Sequence, residues 1–373
     1  MKFSINREVL LHPLQLVSSV VERRQVQPVL SNLLMVANDG ELSLTATDQE
    51  VELTVRISDV NIIDPGETTV PARKLVDICR SMSDSATLTI SQESKKLSVG
   101  SGRFRSHLVT LPAIDFPNVE TSEVGVQLKI DSMQLLKLLD KTSFAMAQQD
   151  VRIFFNGVLL DLDGSRIRMV ATNGQRLATT QGDLETSHEA TQIIIPRKGV
   201  NELVRLLNDS RLLGGSGKND AVLWFTDNHL RVVIGQTELI TKLIDGTYPD
   251  YTVAIPREND KTCLVNRIEV RDALQRTAIL SNETFRDVRL SLDELKLFVH
   301  TNNPLQEEAE EEVSIDFEGE DLVINFNVDY LLNVLAKIEG EQVKMEFSDE
   351  KSPCVLTDPE DSDSIFVVSS MKY

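Results

Sequence analysis

Residues 156–173 read NGVLLDLDGSRIRMVATN, and the same order of residue types recurs as NLLMVANDGELSLTATD at 32–48 and DVRLSLDELKLFVHTN at 287–302. Apolar and polar residues alternate along each stretch, the period of half-buried strands. Asn38-Asp39-Gly40 and Asp163-Gly164 supply hairpin-turn chemistry, so each stretch is expected to fold as a strand pair. The pairs close on Thr47-Asp48, Thr172-Asn173 and Thr301-Asn302.

Working outward, an amphipathic helix precedes each pair. The first carries Leu10, Leu14, Val17 and Val21, the second Leu135, Leu139, Thr142 and Met146 after a capping Asp131, and the third Val270, Leu274, Thr277 and Ala278. A second helix follows each pair. Two of these open after prolines, Val70-Pro71-Ala72-Arg73-Lys74 and Ile195-Pro196-Arg197-Lys198-Gly199, with proline expected at the first helical position. The third copy has Phe326-Asn327-Val328 instead. The buried faces read Leu75, Ile78, Cys79, Met82; Val200, Leu203, Val204, Leu207; and Leu331, Val334, Leu335, Ile338. Pro71 to Pro196 and Asp48 to Asn173 are both 125 residues, and Asn173 to Asn302 is 129. This spacing predicts three tandem α+β copies, with joints near Val119–Val126 and Ile255–Leu264 and domains at 1–123, 124–257 and 258–373.

The whole chain has 373 residues and a formal charge of -20, and its 41% hydrophobic and 5% aromatic residues exclude an intrinsically disordered protein. Cys79, Cys263 and Cys354 are odd in number and far apart, which fits a reducing cytoplasm and no zinc site. No apolar run reaches the ~18 residues of a membrane span. His12, His107, His188, His229 and His300 show no metal-ligand spacing. Gly214-Gly215-Ser216-Gly217-Lys218 resembles a phosphate loop only superficially, since Leu212 and Asn219 break the pattern, and reads as a flexible loop. The acidic run 307–312 reads as a solvated strand face or loop, because contiguous carboxylates diverge in space. With no catalytic constellation, a non-enzyme without cofactors is expected.

Net charge argues against nucleic acid until it is mapped. The six predicted helices (7–24, 72–82, 131–147, 197–208, 267–281 and 328–338) hold 15 Lys and Arg against 9 Asp and Glu, a net of +6 that leaves -26 elsewhere. Helices tolerate Lys and Arg well, so the excess can be mere propensity. It also suits a basic helical surface that holds a polyanion without reading its sequence. On charge alone both readings stay open.

Motifs go further. The chain resembles the bacterial DNA polymerase III beta subunit family, the replication sliding clamps, along essentially its whole length. The resemblance rests on VPARK at 70–74, LPAIDFPN at 111–118, FAMAQQDVR at 144–152, VATNGQRLA at 170–178 and IPRKG at 195–199. It continues in LIDGTYPDYTVAIP at 243–256, AILSNETF at 278–285, NNPLQEEAEEE at 302–312 and FNVDYLLNVL at 326–335. It implies three clamp domains, helices lining a central hole, sheets outside, and a ring closed by a head-to-tail homodimer. With helices ~10 Å wide, six around a ring leave a hole of ~9 Å and twelve leave ~28 Å, so only two chains admit a duplex.

The resemblance implies a non-catalytic processivity factor. It would encircle double-stranded DNA without sequence preference and tether the replicative polymerase, the clamp loader and other clamp-binding proteins in the cytoplasm, away from membranes. The alternative is a peptide-binding scaffold with no DNA role. By resemblance, Arg24, Arg73, Gln149, Arg152 and Lys198 lie at DNA, with Ile153 and Phe154 standing where the family commonly has two tyrosines. A peptide pocket is implied at Phe155, Thr172, Gly174, Arg176, Leu177, Pro249, Val253, Asn327, Tyr330, Val367 and Met371. The family's usual Asp-Gly-His is here Asn173-Gly174-Gln175, an Arg near the cleft is Val253, and Ser369-Ser370-Met371 replaces Met-Pro-Met. The dimer joint is implied at Phe104 and Leu108 of one chain and Ile279 and Leu280 of the other.

Overall fold

Among the described residues, each α-helix starts where a strand stops. The computed structural model describes residues 1–22, 27–58, 60–119, 125–212 and 220–372. Among them, α1 (Arg7–Ser18), α2 (Ala72–Ser81), α3 (Ser132–Ser143), α4 (Arg197–Leu207), α5 (Arg267–Thr277) and α6 (Val328–Leu335) each follow directly on a strand. Side-chain acceptors make the change of direction. Asp131 accepts from the N–H groups of Met133 and Gln134, Asn266 from those of Ile268 and Glu269, and Asn327 from that of Tyr330. Each fills backbone donors that a helix start leaves empty.

The buried helix faces follow the expected spacing: Leu75 and Cys79 in α2, Val200, Leu203 and Leu207 in α4, and Leu331, Val334 and Leu335 in α6. Ile78, Met82 and Val204 are only half-buried, at the margins of their stripes. Pro71 is the last residue of strand Gly66–Pro71 and caps α2 from outside, one position earlier than expected. That strand is the edge of its sheet, where a missing N–H forfeits little.

Four helices, α1, α3, α5 and α6, end three or more residues sooner than the sequence suggested. Outside donors take carbonyls at or just past two of these ends: the Arg205 guanidinium reaches Leu16 O in the last turn of α1, Arg73 reaches Val21 O beyond it, and Arg197 reaches Met146 O and Ala147 O beyond α3. After α5 the chain tightens into a 3-10 turn, Ala278–Leu280.

The chain forms two compact units, Met1–Leu136 with Lys198–Leu243, and Lys137–Arg197 with Ile244–Tyr373. The first unit holds a 5-stranded and an 8-stranded sheet. Its larger sheet joins the first sequence copy to the second, with Val51–Ile57 antiparallel to Thr237–Lys242 and Leu53 opposite Leu239. The second unit holds a 10-stranded sheet, in which Arg176–Pro196 pairs with Asp361–Val368 and Leu177 faces Val367. Compact units cut across the sequence copies because the sheets do.

One expected turn is absent. Asp163-Gly164 does not close a hairpin; Gly157–Thr172 is a single strand of 16 residues whose register shifts at Gly164. Gly164 has φ +61, a left-handed conformation that glycine adopts without strain, and it bends the strand as a bulge. The hairpin closes instead at Asn173–Gln175. Asp39-Gly40 does make the expected two-residue turn, with Asn38 opposite Glu41.

Candidate functional site: a two-lobed cleft beside a locked loop

The hairpin end at Thr172 is built by its own side chains. Thr172 Oγ1 donates to Arg176 O and accepts from Gly174 N, while Asn173 Oδ1 accepts from Gln175 N and Arg176 N. Gly174 supplies the left-handed residue, φ +87. The equivalent turn in the first copy uses the same bonds: Thr47 Oγ1 donates to Val51 O, and Asp48 Oδ1 accepts from the N–H groups of Glu50 and Val51. The 125-residue repeat is thus visible at the level of single hydrogen bonds.

A second fixed segment lies beside it. Asn156 brackets Asp150 by accepting its N–H at 2.9 Å and donating to its carbonyl at 2.8 Å. Arg152 pairs with the Asp150 carboxylate through Nε at 3.0 Å and Nη2 at 2.8 Å. These bonds hold the Asp150 carboxyl down at about 2 and push Arg152 further up. The Arg152 guanidinium lies 4.6 Å from the centroid of the Phe155 ring, a cation–π geometry. Phe155 meets Phe154 edge-on at 4.7 Å and Tyr248 at 5.9 Å.

Between these parts lies a cleft of two lobes. The apolar lobe, about 220 Å³, is lined by Phe155, Leu177, Val367, Tyr248, Pro249 and Tyr251, with Thr172, Gly174, Gln175, Arg176, Asp250, Ala254 and Ser369 completing its wall. Beneath it, Phe155, Leu177, Tyr248 and Val367 belong to one buried apolar cluster. The second lobe, about 520 Å³, is more polar and is lined by Gln175, Thr284, Phe285, Asn327, Tyr330, Ser369, Ser370, Met371 and Lys372. Its C-terminal wall is pinned by backbone bonds from Ser369 N to Gln175 O and from Met371 N to Asn325 O. Arg176 stands between two rings, 4.7 Å from Tyr330 and 5.4 Å from Phe144, and donates to Phe144 O. Burial pulls its basicity down, and its Nε has no acceptor. Burial likewise pushes the Tyr248 phenol up.

Of the predicted pocket residues, Phe155, Thr172, Gly174, Arg176, Leu177, Pro249 and Val367 come together in the first lobe, and Asn327, Tyr330 and Met371 in the second. Val253 does not join them. It is 82% exposed and lies on a separate groove with Ile255, Pro256 and Pro353. The reason is the 3-10 turn Tyr251–Ala254, in which residues three apart eclipse. Tyr251 and Ala254 face the cleft and Val253 faces away. Sequence reasoning missed Tyr248, Tyr251, Gln175 and Phe285; the two tyrosines flanking Pro249-Asp250 were the available signal.

Arg24 lies outside the described residues, as does the 214–218 loop. Arg73, Gln149, Arg152 and Ile153 are exposed and Phe154 is half-buried. Lys198 sits between the carboxylates of Glu22 and Asp48, so its charge is already largely matched. Phe104 and Ile279 are exposed, Leu280 is half-buried and Leu108 is buried at 8% exposure. The acidic run lies in strand Glu308–Glu318, as expected of a solvated strand face. Among the described residues no cluster of three or more His, Cys, Asp or Glu side chains is placed to hold a metal ion, and no helix is long and apolar enough to cross a membrane.

A thrice-repeated helix and sheet unit with a two-lobed cleft describes a multidomain α+β protein with a pocket on its surface. The family models for the N-terminal, central and C-terminal domains of the DNA polymerase III beta subunit match residues 1–120, 129–250 and 252–372. The beta sliding clamp of Pseudomonas aeruginosa is 47% identical over 373 residues, and that of Escherichia coli 40% over 372, each pairing covering all of both chains. A crystal structure of the Pseudomonas aeruginosa beta subunit superposes with a TM-score of 0.95 at 46% identity, and one of the Caulobacter crescentus clamp with 0.93 at 34%, both over full length. Another solved Pseudomonas aeruginosa clamp, at TM-score 0.94, 46% identity and full coverage of both chains, is described as bound to griselimycin. The chain belongs to the DNA polymerase III beta subunit family. It is a DNA sliding clamp of three tandem domains, a non-catalytic subunit.

Proposed function

We propose that two copies of this chain join head to tail into a ring around duplex DNA, and that the cleft tethers the replicative polymerase, the clamp loader and other proteins through short peptides. The domains run 1–123, 124–257 and 258–373, and the protein works in the cytoplasm. Arg24, Arg73, Gln149, Arg152 and Lys198 face the duplex, with Ile153 and Phe154 adding apolar contact. The pairing of Lys198 with Glu22 and Asp48 and of Arg152 with Asp150 supports a weak hold. Cations already matched by carboxylates draw phosphates without trapping them, which suits sliding.

One observation carries the ring: among the described residues, a single chain has two open sheet edges of opposite charge. Phe104–Val109 ends its sheet, and the exposed Arg103 and Arg105 lie on it or beside it. In Glu308–Glu318, residues 308–314 pair with Lys296–Asn302 on one side and, among the described residues, with no strand on the other. Open edges of this kind invite another strand, and opposite charges select which one. Phe104, Leu108, Ile279 and Leu280 supply apolar contact at the same joint.

The test loads the protein onto nicked circular DNA with a cognate loader and ATP, then linearises half the sample. Retention on circles and loss from linear DNA is the expected result. Equal loss from both forms would sink the ring.

A further inference from the structure

The two lobes of the cleft share only Gln175 and Ser369 in their linings, so a ligand that fills both must pass these residues. Ser369 is fixed there by its backbone bond to Gln175 O at 2.8 Å. The Gln175 side chain is tied as well: Tyr330 Oη donates to Gln175 Oε1 at 2.7 Å, and Asn173 Nδ2 donates weakly to Tyr330 Oη at 3.4 Å. Tyr330 belongs to α6 and Gln175 to the Asn173–Gln175 turn, so the bond links two separate elements at the passage. Arg176 packs on the Tyr330 ring and keeps one buried N–H without an acceptor.

Resting on the peptide-docking reading above, we propose that the Gln175–Tyr330 hydrogen bond is a latch between the lobes, which makes Gln175 a determinant of how ligand length converts into affinity. A ligand confined to the apolar lobe leaves the latch closed. A longer peptide must break it, losing one protein hydrogen bond, and its backbone carbonyl gives Arg176 Nε the acceptor it lacks. The latch therefore penalises long peptides and spares short ones.

Calorimetry on the full chain tests this with three probes: N-acetyl-Leu-Phe, and two hexapeptides that add four Ser, Thr or Gly residues before or after the same Leu-Phe. The variants are Gln175→Ala and Tyr330→Phe, which remove either side of the latch, and the two combined. Each single variant is expected to tighten at least one hexapeptide by about 3–10-fold, the range a net protein hydrogen bond provides. The dipeptide should stay within about twofold, and the combined variant should gain nothing over either single one. Weaker hexapeptide binding in both variants, or equal gains for all three probes, overturns the latch. No binding of any probe to the unaltered protein removes the peptide site itself and the latch with it, a result distinct from the other two.

Discussion

Among the described carboxylates, Glu52 stands out for its burial. It is 8% exposed, and among the described residues its side chain accepts the Val119 N–H, at 3.4 Å. Burial first, and the neighbouring Glu238 to a lesser degree, push its pKa up to about 7. Glu238 is buried too, but hydrogen bonds from Arg231 and Arg56 hold it down. Because the folded-state value of Glu52 is raised, its contribution is fully present below about pH 4.5 and is lost as pH climbs through 7. Glu52→Gln removes that penalty. The variant should match the parent near pH 4 and exceed it by up to about 3 kcal/mol at pH 9, read by urea unfolding at both values. A constant difference at both values would contradict this. None of it is legible in the sequence, where Glu52 is one acidic residue among 58.

At the scale of elements, helical period located the six α-helices and alternation about half of the strands, because burial of one face is written into local spacing. What they missed was where elements end. Arg205 bonds a carbonyl in the last turn of α1, 189 residues away in sequence, and Arg197 bonds one just past α3, 50 residues away, and no local pattern encodes that. Gly199 shows the same limit. In a helix, glycine reads as a weakness, yet a Cβ there would lie 2.6 Å from Thr241 Oγ1 and 3.0 Å from its Cβ. Gly199 lets α4 lie close against strand Thr237–Lys242. Gly199→Ala should therefore destabilise by about 1–2 kcal/mol, overpacking outweighing the helix propensity of alanine. A rise in thermal midpoint would show that the strand gives way instead.

For the whole molecule, the joint proposed between copies predicts strong charge dependence. Replacing Arg103 and Arg105 by Glu places like charges opposite the Glu308–Glu312 edge. The dimer constant should weaken more than tenfold, with a native mass near one chain of 41.7 kDa by ultracentrifugation. An unchanged dimer would place the joint elsewhere. The cleft was partly legible: ten of the eleven carried-over pocket positions line one lobe or the other, and only Val253 is turned away by its 3-10 turn.

The sequence by itself determined the three copies, the Asp39-Gly40 hairpin turn and the absence of a catalytic set, since these follow from period, turn chemistry and residue type. Tertiary structure decided which sheets cross from one copy to the next, which cations are already matched by carboxylates, and that the cleft has two lobes meeting at Gln175. Those depend on residues brought together from distant parts of the chain. Spacing along a sequence fixes which face of an element is buried, but not what that face is buried against.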